Sequence, residues 1–232
     1  MRRYITILVF LLCGLQAGAN HFTGGNLRYE YTGVQRQYRV VLTLYKSCEP
    51  TAIDLPSFIN IYAESKSKNI ILSKNLGRIS EDTLAVFCPG TINTCNNMTS
   101  PYPGYIVAEY ADTIIFPVVT NDWNLVFSNS SRSLNIVNLQ GASGTAFYID
   151  APVNMSGVDN SSAKLAEYPP HVLFINDSIA IPLSATDADG DTVAYSFINP
   201  ESSSGTNIPY YTGYNYSQPF GQTGLCYIKN NN

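Results

Sequence analysis

The stretch "QYRVVLTLY", residues 37–45, decides the fold. Successive side chains of an extended chain point to opposite faces, so Tyr38, Val40, Leu42 and Leu44 share one apolar face. Its β-branched and aromatic residues suit a pleated surface. Just upstream, "NLRYEY" (26–31) repeats the strand signature, and the intervening "TGVQR" (32–36) supplies a turn, which predicts an antiparallel hairpin. Working outward, strands are predicted at "FINIYAE" (58–64), "YIVAEYADTIIFPVV" (105–119), "WNLVFSN" (123–129), "LNIVNL" (134–139) and "TAFYIDA" (145–151). The 17 tyrosines and 10 phenylalanines agree with a sheet protein. No segment sustains the i, i+3, i+4, i+7 apolar spacing of an amphipathic helix. Short strands separated by Gly, Pro, Asn and Ser clusters predict an all-β chain of the sandwich or barrel kind.

The polar run "NMSGVDNSSAKLAEYPP" (154–170) ends in a proline pair and reads as an extended linker. It divides a first β-sandwich, residues 20–153, from a second Ig-like or cadherin-like module, residues 171–232. The second carries the candidate strands "HVLFI", "SIAIPLSAT", "TVAYSFI", "YYTGYNYS" and "GLCYI". That is short of the roughly seven strands of an immunoglobulin-type sandwich, so this module is expected to be incomplete.

Residues 1–19 read as a secretory signal peptide: basic "MRRY", apolar "ITILVFLLCGL" and the small-residue pattern Ala17-Gly18-Ala19. The apolar run falls short of the about 20 residues of a membrane span, and no later run approaches one. The expectation is therefore a secreted, extracellular chain. With 13 Lys+Arg against 17 Asp+Glu the chain is acidic and has no basic stripe. That argues against nucleic acid and against anionic membrane surfaces as partners. Cys88 and Cys95 bracket the turn-rich "PGTINT", and in an oxidising compartment a local disulfide between them is expected. The spacing is not that of a zinc site, and the two histidines, His21 and His171, are far apart in sequence.

Several pieces together carry a resemblance. "HFTGGNLRYEYTG" followed by "YRVVLTLYKSC" resembles the opening of large secreted or cell-surface proteins of Bacteroidetes-type bacteria. "CPGTINTC", "DWNLVFSNSSRS", "GTAFYIDAPVN", "PPHVLFINDSIAIPLSATDADGDTVAYSF" and "PYYTGYNYSQPF" follow in the order of the same pattern. The resemblance implies serial Ig-like or cadherin-like sandwich modules, export linked to type IX secretion and gliding motility, and a role in adhesion or scaffolding. It also implies further sandwich modules if the chain is part of a longer one. Two departures stand out. Ser130 and Ser131 occupy a place where the family often has paired cysteines, and the usual partner downstream of Cys48 is absent near "YAESKSKN".

"ATDADGDTVAYS" (185–196) concentrates Asp187, Asp189 and Asp191 in a chain that is only 13% charged. The Asp-x-Asp-Gly-Asp spacing looks like the calcium-associated loop of cadherin-like modules. Alternate positions bring the carboxylates to one side, Gly190 permits the turn, and a hard cation would relieve their repulsion. Three carboxylates supply only part of the roughly six to eight oxygens calcium takes. The competing reading is a solvated turn in which aspartate caps its own backbone. Tyr210, Tyr211, Tyr214 and Tyr216 in "YYTGYNYS" are candidate ligand-binding aromatics, with flat apolar area and a polar tip; alternating tyrosines also pair across strands in ordinary sheets. No nucleophile motif surrounds His21 or His171, and Glu30, Glu109 and Asp122 are acid–base candidates only in the sense that any carboxylate is. The expected function is a non-enzymatic extracellular adhesin or scaffold with an extracellular protein or glycan as ligand. The alternative is a secreted carbohydrate-binding module or glycoside-active protein.

Overall fold

The computed structural model describes residues 22–48, 54–84, 86–88, 90–130, 132–133, 136–165, 180, 183–221, 224 and 226–228. The expected signal peptide, and the expected strand "HVLFI" with most of "SIAIPL", lie outside these residues. Seven antiparallel strands form one sheet: β1 (Phe22–Tyr31), β2 (Gln37–Ser47), β3 (Phe58–Ser65), β4 (Ile70–Leu84), β5 (Tyr105–Ile115), β6 (Trp123–Asn129) and β7 (Phe147–Val153). Their order is β1-β2-β5-β4-β3-β6-β7. The β1–β2 hairpin has the expected turn, with Gly33 and Arg36 in the left-handed region. β5 stops at Ile115, just before Phe116 and Pro117, because proline cannot continue a ladder. The described part of "LNIVNL" forms no strand beyond an isolated bridge from Leu139 to Tyr210.

β4 organises the sheet. Residues 70–77 pair with β3, and residues 77–84 pair with β5, past a register shift between Arg78 and Ser80. Gly77 stands opposite both Phe58 and Ala111. A strand that changes partners at a bulge turns a corner, as in orthogonally packed sheets. The sheet thus folds along β4 into two halves around one core. Residues from β1, β2 and β5 on one half and from β3, β6 and β7 on the other meet there in a single cluster. The outer edges meet as well: Phe22 of β1 packs on Phe127 and Phe147 with ring centroids 5.8 and 5.9 Å apart.

The predicted face of β2 is the centre of that core, with Tyr38, Val40, Leu42 and Leu44 fully buried. An aromatic series runs through it: Tyr38 meets Phe116 edge-on at 5.7 Å, and Phe116 meets Trp123 at 4.9 Å. Each polar tip has a partner, as burial demands. Trp123 Nε1 donates to the Val118 carbonyl at 2.9 Å, the Tyr110 hydroxyl to the Pro56 carbonyl at 3.0 Å, and the Tyr38 hydroxyl to Asp159 at 3.1 Å.

The described residues do not show two sandwich modules. The segment expected as a linker hydrogen-bonds to β1 over 161–162 and then makes β8 (Lys164–Leu165), which pairs with β9 (Ala185–Thr186). Downstream, "TVAYSFI" forms no strand, and among the described residues β10 (Glu201–Ser203) and β11 (Thr206–Asn207) follow. The described residues of this C-terminal segment pack on the first unit: Ile208 is buried with Leu139 and Ala142. Arg132, itself buried, donates to the carbonyls of Ala146 and Glu201 and stacks on Phe147, riveting β10 beside β7. Among the described residues no helix is long and apolar enough to cross a membrane.

Candidate functional site

The aspartate loop sits against the edge of β1. Asp187 accepts the backbone N–H groups of Asp189 at 2.9 Å and Asp191 at 3.2 Å, and Gly190 takes the left-handed conformation between them. This is the self-capped turn weighed against calcium from the sequence. The Asp189 carboxylate accepts the backbone N–H of Ser161 at 2.6 Å. Ser161 and Ser162 in turn face β1: their hydroxyls accept the N–H groups of Tyr31 and Tyr29, and the Ser162 N–H donates to the Tyr29 carbonyl. Exposed strand edges attract other chains, and here two serines held by an aspartate occupy one. Burial, then the negative charges of Asp187 and Asp189, push the Tyr29 hydroxyl pKa up. Asp159 does the same for Tyr38 and Tyr31 after burial. Among the described residues no group of three or more His, Cys, Asp or Glu side chains is placed to hold a metal ion.

The expected Cys88–Cys95 disulfide is corrected: Cys95 is joined to Cys48, and Cys88 is an exposed free thiol. The topology explains the choice. Cys48 follows the last residue of β2, which pairs with Tyr105 at the start of β5, and the Cys48 N–H donates to the Gly104 carbonyl at 2.9 Å. Gly104 also lies against Cys95, so close that a β-carbon there would fall 2.5 Å from its sulfur. The 90–104 loop is therefore tied to the end of β2, a relationship that spans 47 residues and leaves no local trace in sequence. Cys226 is a partly exposed free thiol.

The candidate tyrosines divide. Tyr210 bridges to Leu139, its carbonyl accepts from the Gln140 side chain at 2.7 Å, and its ring packs on the small second cluster. Tyr214 lies in the turn closed by its N–H to the Tyr211 carbonyl, with its ring near Gly221. Tyr211 and Tyr216 are 51% and 45% exposed, and Phe220 beyond them is 58% exposed. The segment that carries them is fixed: the Tyr211 N–H donates to Asn138, Asn138 donates to the Pro219 carbonyl, and Asn215 Oδ1 caps Ser217 and Gln218. Two rings are thus structural and two face solvent.

The permissive carboxylates have structural partners. Glu30 pairs with Arg28 and Arg39, Glu109 accepts from Thr43, and Asp122 accepts from Thr120, Ser65 and Ser67 at the mouth of the β3–β4 turn. Sequence reading missed β4 and the outer face it shares with β3. There Phe58, Asn60 and Tyr62 stand opposite Gly77, Asn75 and Ser73. No family model, curated protein or solved structure matches the chain.

Proposed function

We propose that this chain is an extracellular, non-enzymatic binding or scaffold unit of a cell-surface adhesin, as its resemblance to Bacteroidetes-type surface proteins implies. The observation that carries the reading is the C-terminal segment, where Tyr211, Tyr216 and Phe220 are presented to solvent from a backbone tied by Asn138 and Gln140 to the loop before β7. Rigid aromatics on a fixed loop give contact area at low ordering cost, the economy that binding surfaces favour. The Cys48–Cys95 bond suits an oxidising compartment. Binding of the exported chain to an array of extracellular proteins and glycans, repeated with Tyr211→Ala/Tyr216→Ala, tests the reading. Capture of a protein partner that survives the double substitution, or turnover of any polysaccharide, overturns it. Calcium at Asp187, Asp189 and Asp191 belongs to the same proposal on the strength of the Asp-x-Asp-Gly-Asp spacing alone. An unchanged melting temperature in millimolar calcium against a magnesium control removes it.

A further inference from the structure

We propose that the outer face of β3 and β4, at the corner where β4 leaves β3 for β5, is a binding site for a neutral glycan chain. The inference rests on the chain being a binding unit, but on a different surface from the tyrosine segment. β3 buries Ile59, Ile61 and Ala63, so its alternate residues Phe58, Asn60 and Tyr62 face outward. The rings of Phe58 and Tyr62 are 68% and 42% exposed. Between them Asn60 donates to Ser73 at 2.7 Å and to Asn75 at 3.0 Å, which fixes an amide–hydroxyl patch on the surface. Phe58 lies over Gly77, with its ring about where a β-carbon would make ordinary contact, 3.5 Å away. Gly77 and Ala111 leave room at the corner, and a hollow of about 540 Å³ opens beside the ring, flanked by Ser73, Asn75 and the Lys74–Asp112 pair. The hollow is shallow and largely open to solvent.

The lining chooses the ligand class. Lys74 and Asp112 are 2.8 Å apart and cancel each other, so the hollow offers no net charge to an anion or a cation. An apolar partner would have to strip water from the exposed Ser73 and Asn75 groups without replacing their hydrogen bonds, which is costly. A sugar meets both demands. Its C–H face covers an aromatic ring, and its hydroxyls donate to and accept from amide and hydroxyl groups already held in place. The hollow lies beside the Phe58 end of the row Phe58, Asn60, Tyr62, so the chain would run along β3 across the amides.

The experiment is a binding screen of the folded chain on immobilised neutral oligosaccharides, followed by calorimetry with the best hit. Phe58→Ala should weaken binding by about tenfold, equivalent to about 1.4 kcal/mol, and Asn75→Ala should weaken it too. Both positions are exposed, so unchanged melting temperatures are expected and confirm that the fold is intact. Tyr211→Ala/Tyr216→Ala should leave this affinity unchanged. A silent array overturns the proposal, as does a hit indifferent to Phe58→Ala, or capture of a protein partner by this face in place of a glycan. A silent array with protein capture through Tyr211 and Tyr216 removes this site and leaves the adhesin reading standing.

Discussion

The backbone N–H of Ser161 meets the carboxylate of Asp189 at 2.6 Å, and with the β8–β9 pairing this bond joins two segments 28 residues apart into a cover over the edge of β1. The acidic loop therefore acts on the fold through Ser161 and Ser162, which satisfy the N–H groups of Tyr31 and Tyr29.

Asp189→Ala should loosen that cover at a cost of about 1 kcal/mol, the ordinary worth of one hydrogen bond. Asp189→Asn keeps an acceptor and should cost less. Hydrogen exchange checks it: the amides of Tyr29 and Tyr31 should exchange faster in Asp189→Ala, while β2 amides keep their protection. Unchanged exchange at both tyrosines would mean that the serines hold without the aspartate.

The Cys48–Cys95 bond closes a loop of 47 residues, for which the chain-entropy account gives about 4 kcal/mol of stabilisation. Cys95→Ser should lower stability by up to that amount. Thiol labelling of the folded, non-reduced protein should modify Cys88 readily and Cys226 more slowly; labelling of Cys48 contradicts the pairing. Gly104→Ala drives a β-carbon into Cys95 and Asn93 and should cost about 1–3 kcal/mol by overpacking. Gly77→Ala meets Phe58 only at ordinary contact distance and should be far milder.

Alkaline pH should unfold the protein through its tyrosines. Burial pushes Tyr110 up to about 12; burial and then Asp150 push Tyr148 to about 12; burial and then Asp159 raise Tyr38 further. A phenol that holds its proton more tightly folded than unfolded stabilises fully below its unfolded value of about 10. That stability is lost as pH climbs from about 10 through about 12. Absorbance titration should show a tyrosine subset ionising only together with loss of β-sheet circular dichroism. Ionisation of every tyrosine near pH 10 with the sheet intact would refute the burial argument.

Asp122, Asp112 and Glu30 share the acid limb, and Asp122 is held furthest below its ordinary value. Hydrogen bonds from Thr120, the Ser67 backbone, and the Ser65 and Ser67 hydroxyls hold its carboxyl far below the usual range. A depressed carboxylate stabilises above its unfolded value of about 4, and that contribution disappears as pH falls below it. Asp122→Ala should therefore flatten the acid side of the stability profile and free the 65–69 turn, seen as new exchange at the Ser67 amide. An unaltered acid profile would assign the acid sensitivity elsewhere.

How legible the molecule is in its sequence varies with how local each cause is. β2 is legible because its apolar alternation coincides with burial: Tyr38, Val40, Leu42 and Leu44 are all in the core. β4 is not, although it stands near the middle of the sheet. Ser73, Lys74, Asn75, Arg78, Ser80, Glu81 and Asp82 keep it polar, and Leu76 is its only residue fully in the core. Strand pairing on both sides holds it, and pairing leaves no signature in a single strand's side chains. The cysteine pairing was hidden for the same reason, since only the β2–β5 register brings Cys48 beside Gly104 and Cys95. The Asp187 turn was legible as a turn, because a capping aspartate acts two to four residues away; its hold on Ser161 was not.

Because β4 lends its first half to β3 and its second half to β5, the fold has no seam. A break at Gly77 would hand each fragment a raw β4 edge and half of a shared core, so neither piece could persist as a folded remnant. Such a unit is inherited or lost whole. Recombination and insertion are expected at its rim, as in the exposed β1–β2 turn at 33–35, rather than along the strand that looks least like a strand.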